Sequence, residues 1–182
     1  NSTFQAITAR AAGFSTISFY DVVPATSFIV MLLMFIGTAS ASAGGGIRLN
    51  TLGVLLATIA ASIRGREHVT CFGREIDSRQ VNRAITITLF AGLFVFLVAF
   101  ILSFTEQGGL KFIYLLFEAC SAVGTVGLSA GITPNLSSIG QLLIILTMII
   151  GRLGPLVLGL SLIDKERKAT QFRYPQERVR IG

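Results

Sequence analysis

Charged residues are scarce in this sequence. Only 13% of its 182 residues are charged, whereas 52% are hydrophobic, and the mean hydropathy is +0.74. A soluble domain of this length usually carries about twice as much charge. The shortage argues against a soluble enzyme or binding domain and favours a membrane protein.

Residue types that build catalytic and metal sites are also few. His68 is the single histidine, and Cys71 and Cys120 are the two cysteines. The sequence has no Ser/His/Asp, Cys/His or metal-ligand grouping, and Gly44-Gly45-Gly46 lacks the Lys-Ser/Thr of a phosphate-binding loop. The cysteines lie in a basic loop and an apolar segment, so we expect no disulfide. We predict no enzymatic activity and no organic cofactor.

The apolar residues occur in long blocks. Residues 84–104 carry no charge, and residues 139–163 carry one, Arg152. A helix needs about 20 residues to cross a bilayer core of about 30 Å. Both blocks predict transmembrane helices, and we expect a multi-pass protein of the plasma membrane in contact with lipid.

The net charge of +6 is concentrated beside these blocks. Five arginines lie in residues 64–83 and six basic residues lie in 164–182, whereas residues 105–111 contain one. The positive-inside rule therefore places 64–83 and the C-terminal tail in the cytoplasm and 105–111 outside. This placement explains the charge better than a nucleic-acid partner does, so none is expected.

Two parts of the chain resemble each other at a constant offset. Ala11-Ala12-Gly13-Phe14-Ser15 matches Thr125-Val126-Gly127-Leu128-Ser129, and Met34-Phe35-Ile36-Gly37 matches Met148-Ile149-Ile150-Gly151. The glycines at 13 and 127 are 114 positions apart, as are those at 37 and 151. The agreement predicts a duplicated unit. Repeats in membrane proteins commonly build a site at their shared axis.

The second copy shows the order of elements in the unit. After the helix at 84–104, residues 112–123 are apolar but too few to cross a membrane, which favours a re-entrant helix. A loop beginning at Gly124 and a polar stretch to residue 138 follow, and the chain then returns. We predict an all-α membrane protein of tandem helix–pore-loop–helix (M1-P-M2) repeats around a cation pore. The first copy lacks its leading helix.

The returning M2 helix of the first copy must be broken. Residues 28–63 contain one charged residue, Arg48. A continuous helix of that length would extend about 54 Å, well beyond the bilayer core. Residues 39–46 end in three glycines, which are poor helix formers. Non-helical backbone at membrane depth is tolerated only inside protein or beside water, so we predict a Gly-rich intramembrane loop along the conduction path.

The repeated glycine segments suggest a selectivity filter. Backbone carbonyls can replace the hydration shell of a cation without adding a fixed charge. Neighbouring carbonyls must then point to one side, and glycine adopts the required backbone angles at little cost. Thr125-Val126-Gly127 has the residue types of a potassium filter, and Ala11-Ala12-Gly13 is its degenerate counterpart. The negative end of the preceding pore helix would favour a cation there.

Two charged residues in apolar segments have roles that the sequence leaves open. Arg152 should face the pore or a water cavity, because an arginine facing lipid costs several kcal/mol. Alternatively, it pairs with a carboxylate or a helix end and holds the repeats together. Glu118, on the re-entrant helix, either strengthens the cation field or bonds neighbouring backbone amides.

These motifs resemble the Trk/Ktr/HKT superfamily of potassium transporters, specifically the KtrB-type membrane subunit. The resemblance covers the whole chain, and its most specific parts are residues 117–129 and Ile150-Gly151-Arg152-Leu153-Gly154-Pro155. A family member has four such units around one pore, so this chain would supply the third and fourth. Ala11 stands where the family often has threonine, and the loop before Gly44 has less glycine than usual.

The resemblance implies potassium uptake through this filter, with Na⁺ as a possible coupling ion. It implies a homodimer and a cytosolic nucleotide-binding (RCK/KTN-type) regulatory subunit. The implied K⁺ ligands are the backbone carbonyls of Arg10, Ala11, Ala12, Gly13, Gly124, Thr125, Val126 and Gly127. The implied gate consists of Thr38, Ala39, Ser40, Ala41, Ser42, Ala43, Gly44, Gly45, Gly46 and Arg152.

Four segments follow from these predictions. They are the end of the third unit with its broken M2 (1–65), a cytoplasmic loop (66–83), the complete fourth unit (84–164) and a cytoplasmic tail (165–182). Because the chain opens inside a motif, we expect a fragment whose missing N-terminal half is a partner. A sodium-transporting relative and a non-conducting membrane anchor of a larger complex are the alternatives.

Overall fold

The computed structural model describes residues 2–20, 22–38, 44–65, 68–71, 74–106 and 110–153. Within these ranges the chain is mainly helical, as expected for an all-α membrane protein. The helices are α1 (Ser2–Thr8), α2 (Pro24–Phe35), α3 (Leu49–Ile63), α4 (Ser78–Thr105), α5 (Phe112–Gly124) and α6 (Ser138–Leu153). A 3₁₀ turn (Thr133–Asn135) precedes α6.

Helix α4 is, among the described residues, the one helix long and apolar enough to cross a membrane. Its small and branched side chains, such as Ala91, Val95 and Ala99, are buried, while large apolar side chains line its exposed face. An exposed apolar face on a long helix is suited to lipid. The exposed residues include Leu89, Leu93, Phe96, Phe100 and Phe104.

Helix α4 begins at Ser78, earlier than the apolar block that starts at residue 84. The side chain of Asp77 accepts a hydrogen bond from the amide of Arg79 (3.2 Å) and caps the helix. A capped helix can continue into polar sequence beyond the hydrocarbon region. The apolar block therefore predicts only the part of α4 that would lie in lipid, and not the polar turns before it.

Helix α5 is the centre of the fold and packs against α2, α4 and α6. With 13 residues it extends about 20 Å, which is too short to cross a bilayer. Its side chains from Phe117 to Gly124 are buried without interruption. Phe117 packs against Phe19 of the first unit, with ring centroids 5.1 Å apart. The core therefore joins the two units around one short helix.

Residues 28–63 are too long for one helix that crosses a bilayer, so a break was predicted among them. The structure has an interruption within this range, between α2 and α3. Helix α2 ends at Phe35, and α3 begins at Leu49. Ile36 and Ile47 form a parallel bridge, and the amide of Ile47 donates to the carbonyl of Phe35 at 3.1 Å. The chain thus returns to the end of α2 before α3 starts. Residues 39–43 of the predicted loop lie outside the described residues.

A small hairpin, which the sequence analysis did not predict, lies between α3 and α4. Strand β1 (Thr70–Cys71) pairs antiparallel with β2 (Arg74–Glu75). Strands of two residues are too short to produce a recognisable alternation. Cys71 in this hairpin and Cys120 in α5 are both free thiols.

Candidate ion-conduction site

The two predicted filter segments lie side by side. A Cβ placed on Gly13 would approach the carbonyl oxygen of Val126 to 2.7 Å and the Cα of Gly127 to 3.4 Å. A Cβ placed on Gly127 would in turn lie 3.4 Å from the Cα of Gly13. The two backbones are therefore in direct contact, and a carbonyl oxygen of one segment lies against the glycine of the other.

The two segments also share an unusual backbone conformation at equivalent positions. Ala11 and Thr125 have φ angles of 61° and 50°, and Gly13 and Gly127 have φ angles of 75° and 89°. These positions are related by the same offset of 114 residues. A left-handed angle costs a residue with a Cβ about 1–2 kcal/mol. At Ala11 and Thr125 the left-handed residue follows a short helix, which is a common helix end, although glycine usually occupies that position.

Each segment continues directly from a short helix. In the second unit, the amides of Thr125 and Val126 donate to the carbonyls of Ala122 and Ser121 at 3.2 and 3.0 Å. In the first unit, the amide of Ala12 donates to the carbonyl of Thr8 at 3.2 Å. The carbonyl ends of α1 and α5 are thereby placed next to the glycine segments, and a helix carries partial negative charge at that end.

The other predicted filter residues differ in their surroundings. Gly124 is the last residue of α5 and packs so closely on α2 that a Cβ there would lie 2.9 Å from the carbonyl oxygen of Met34. Val126 is buried, whereas Arg10 and Gly127 are exposed. The prediction names only backbone carbonyls as K⁺ ligands. The burial or exposure of these residues therefore does not test it.

The described part of the predicted gate lies against the second filter segment. The amide of Gly45 donates a hydrogen bond of 2.9 Å to the hydroxyl of Thr125. A Cβ on Gly45 would lie 2.7 Å from the carbonyl oxygen of Val123 and 3.0 Å from that of Gly151. Gly44–Gly46 therefore rests on the end of α5 and on α6, directly beside the second predicted filter segment.

Glycines at equivalent positions form the seat of this loop. A Cβ on Gly37 would overlap the carbonyl oxygen of Gly45, and a Cβ on Gly151 would overlap that of Val123. The sequence analysis identified Gly37 and Gly151 only as repeat matches. Their common offset was the available signal, but it could not show that Gly37 makes room for the loop and Gly151 for the end of α5.

Arg152 directly follows Gly151, so its backbone adjoins the loop seat. Its side chain is exposed, and it forms no salt bridge with the described residues. Of the remaining predicted gate residues, Thr38 accepts a hydrogen bond from the amide of Leu49 through its carbonyl (3.3 Å). Residues Ala39, Ser40, Ala41, Ser42 and Ala43 lie outside the described part of the chain.

Glu118 is buried in α5, and its carboxylate accepts hydrogen bonds from the segment that follows the filter. The donors are the amide of Ala130, the hydroxyl of Thr133 and the hydroxyl of Ser129. Sequence reasoning considered a bond to neighbouring amides but did not identify the two hydroxyl partners. The signal available in the sequence was that both hydroxyl residues, Ser129 and Thr133, lie in the polar stretch that follows the predicted filter segment.

The sequence matches a known protein family. Residues 1–168 match the model of the TrkH family, described as cation transport protein. The chain belongs to the TrkH family. This confirms the Trk/Ktr resemblance and the prediction of a membrane transport protein rather than an enzyme.

Several curated relatives of the TrkH family are similar along the whole chain. Ktr system potassium uptake protein D of Bacillus subtilis is 41% identical, with 100% of this chain and 40% of the relative covered. The potassium/sodium uptake protein NtpJ of Enterococcus hirae is 39% identical, covering 100% and 41%. Ktr system potassium uptake protein B of Vibrio alginolyticus is 36% identical, covering 98% and 38%. The chain thus spans about two fifths of the length of these relatives.

Proposed function

We propose that this chain contributes two of the pore-lining units of a potassium uptake pathway. Its filter would be made from the backbone carbonyls of residues 10–13 and 124–127, and further units of the complete transporter would close the pore. The potassium and sodium named for the relatives are both monovalent cations. Carbonyl rings are a known means of binding such ions without trapping them.

The observation that carries this proposal is the contact between the two glycine segments. They meet at Gly13 and Gly127, with left-handed backbone at equivalent residues of both. Two peptide strands of the same shape, each following the carbonyl end of a short helix, offer oxygen atoms to a shared space. A left-handed residue is a common helix end, but glycine usually occupies it, whereas both units have a residue with a Cβ there, Ala11 and Thr125.

We infer further that Gly44–Gly46 belongs to a gate. This part of the loop touches both Thr125 and the carbonyl of Val123, so a displacement of the loop would be felt at the filter. Residues 38–46 and Arg152 together would form the barrier. Arg152 would add a positive charge that opposes cation passage while the loop is seated.

The complete transporter is proposed to act in the plasma membrane, with the C-terminus in the cytoplasm. Two relatives are named as parts of a Ktr system, which supports assembly with a regulatory subunit. The family resemblance further implies a dimeric membrane subunit and a cytosolic nucleotide-binding partner, and we include both in the proposal. Na⁺ would then serve as a coupling ion, and K⁺ would be the transported substrate.

Sodium transport is the second candidate, because one relative is named a potassium/sodium uptake protein. The two candidates differ in the ion that the filter prefers. Measuring the permeability ratio of K⁺ to Na⁺ in the complete transporter distinguishes them. A non-conducting anchor would show neither rubidium uptake nor potassium-dependent growth.

The decisive experiment is the substitution Gly127→Ser, assayed by ion flux in the complete transporter. A side chain at this left-handed position strains the filter, so we expect Na⁺ permeation to rise relative to K⁺. The matched control is Gly65→Ser. Gly65 also has a left-handed φ of 63°, but it follows α3 and nothing lies within 4 Å of its Cβ position. Unchanged selectivity in Gly127→Ser would contradict the filter proposal.

A further inference from the structure

Glu118 occupies an unusual position for a carboxylate. It lies in the middle of α5, among apolar residues, and only 4% of its surface is exposed. Burying a charged or strongly polar group is costly unless hydrogen bonds replace its water. The side chain therefore requires partners, and these indicate its role.

All the donors that Glu118 binds go to one oxygen. Oε1 accepts from the amide of Ala130 at 3.2 Å, from the hydroxyl of Thr133 at 3.0 Å and from the hydroxyl of Ser129. The amide of Gly131 donates to the Ser129 hydroxyl at 2.9 Å, which extends the network around the turn. One carboxylate thus organises the whole segment 129–133.

This network fixes the outgoing end of the filter. The incoming end is held because Val126 still bonds to the carbonyl of Ser121 in α5. The outgoing end is held because Ser129 and Ala130, which immediately follow Leu128, bond to Glu118 in the same helix. Gly127 and Leu128 therefore lie between two attachments to one rigid element, and the distance between these attachments limits how far the carbonyls of this segment can spread.

The first unit holds the corresponding segment in a different way. The residue equivalent to Glu118 by the offset of 114 is Phe4, which is 45% exposed. There, Gln5 donates from Nε2 to the hydroxyl of Thr16 at 3.0 Å, and the hydroxyl of Thr8 donates to the carbonyl of Phe14 at 2.5 Å. In both units, the residues after the proposed filter segment form hydrogen bonds with the preceding short helix. Only in the second unit is the partner in the helix a carboxylate.

We propose that Glu118 is a positioning residue that sets ion selectivity by holding the filter of the second unit at its outgoing end. It acts as a hydrogen-bond acceptor and not as a source of negative field for the ion. This inference rests on the proposed function of residues 124–127 as a filter. It assigns the selectivity of this unit to a group that need not touch the ion.

The test compares Glu118→Gln with Glu118→Leu in the complete transporter, with flux normalised to the amount of protein in the membrane. Gln keeps an acceptor oxygen but carries no charge, whereas Leu has similar size and no acceptor. We expect the K⁺/Na⁺ permeability ratio to stay within about twofold in Glu118→Gln. In Glu118→Leu we expect it to fall on the order of tenfold, because the buried donors lose their acceptor.

The matched control is Glu106→Leu. Glu106 also accepts from a backbone amide and a hydroxyl, those of Ser137 (3.0 and 2.6 Å), but it links the end of α4 to the start of α6, and neither residue belongs to segments 124–127 or 129–133. We expect this variant to be less stable with an unchanged permeability ratio. A general loss of stability therefore would not imitate the predicted effect of Glu118→Leu.

Milder variants cover the case in which Glu118→Leu does not reach the membrane. Ser129→Ala and Thr133→Val each remove one donor, and each should lower the ratio about twofold to threefold. An unchanged ratio in Glu118→Leu, or in both single-donor variants, would overturn the proposal. The proposal would also be overturned if Glu118→Gln and Glu118→Leu lowered the permeability ratio equally, because the negative charge would then matter more than the ability to accept hydrogen bonds. If Gly127→Ser also leaves the ratio unchanged, the filter assignment itself has failed.

Discussion

The backbone amide of Gly45 donates a hydrogen bond to the side-chain hydroxyl of Thr125, although 80 residues separate them in sequence. Thr125 follows α5 directly and begins the glycine segment, while Gly45 lies in the interruption between α2 and α3. The proposed gate and the proposed filter are therefore joined by one hydrogen bond. The following predictions concern this junction and the glycines around it.

Removing the acceptor at Thr125 should release the loop. In Thr125→Val the side chain keeps its shape, but Gly45 loses its partner, which costs about 1 kcal/mol. A change of this size shifts an equilibrium about fivefold. We expect up to about fivefold higher potassium flux, measured as rubidium uptake. Thr125→Ser keeps the hydroxyl and is the control, so equal flux in the two variants would contradict the link.

A side chain at Gly151 should disturb the packing of α6 against the end of α5. In Gly151→Ala the new methyl group would overlap the carbonyl of Val123, and overpacking of this kind typically costs about 1–3 kcal/mol. We expect a lower midpoint of thermal unfolding together with altered flux. Gly53→Ala is the control, because Gly53 lies in α3 with nothing within 4 Å of its Cβ position. That variant should be neutral or more stable, since alanine favours helix.

Deleting the predicted gate should raise flux. Removal of residues 39–46 from the complete transporter takes away Gly45 and its contacts with the end of α5. We expect potassium uptake to increase while the protein still inserts and assembles. Equal or lower uptake in a correctly folded protein would remove the gating role. The deletion leaves Thr125 and Gly127 in place, so selectivity for K⁺ over Na⁺ should change less than the rate.

The close contact between the filter segments makes Gly13 sensitive to substitution. In Gly13→Ala the methyl group would lie 2.7 Å from the carbonyl oxygen of Val126, at a left-handed φ of 75°. We expect a reduced K⁺/Na⁺ permeability ratio in ion flux measurements. Gly65→Ala, after α3, carries a similar backbone strain of about 1–2 kcal/mol without any close neighbour. If both variants change selectivity equally, the contact at Gly13 has no special role.

Much of this architecture could be predicted from the local pattern of the sequence. The apolar block at residues 84–104 predicted a spanning helix, and the shorter one at 112–123 predicted a re-entrant helix; helices α4 and α5 lie at these places. The offset of 114 residues also separates the starts of α2 and α6, at Pro24 and Ser138. Local patterns failed at helix α4, whose polar first turns extend beyond the apolar block, and at the two-residue strands of the hairpin.

The amino-acid sequence by itself determined where helices form, where glycine permits left-handed backbone and which two segments are equivalent, because these depend on residues near each other in the chain. Only the tertiary structure decided which distant atoms meet. Glu118 bonding to Ser129, Gly45 bonding to Thr125 and Gly13 lying against Val126 arise from helix packing. Side-chain composition alone does not set such contacts, since they depend on how closely the packed backbones approach.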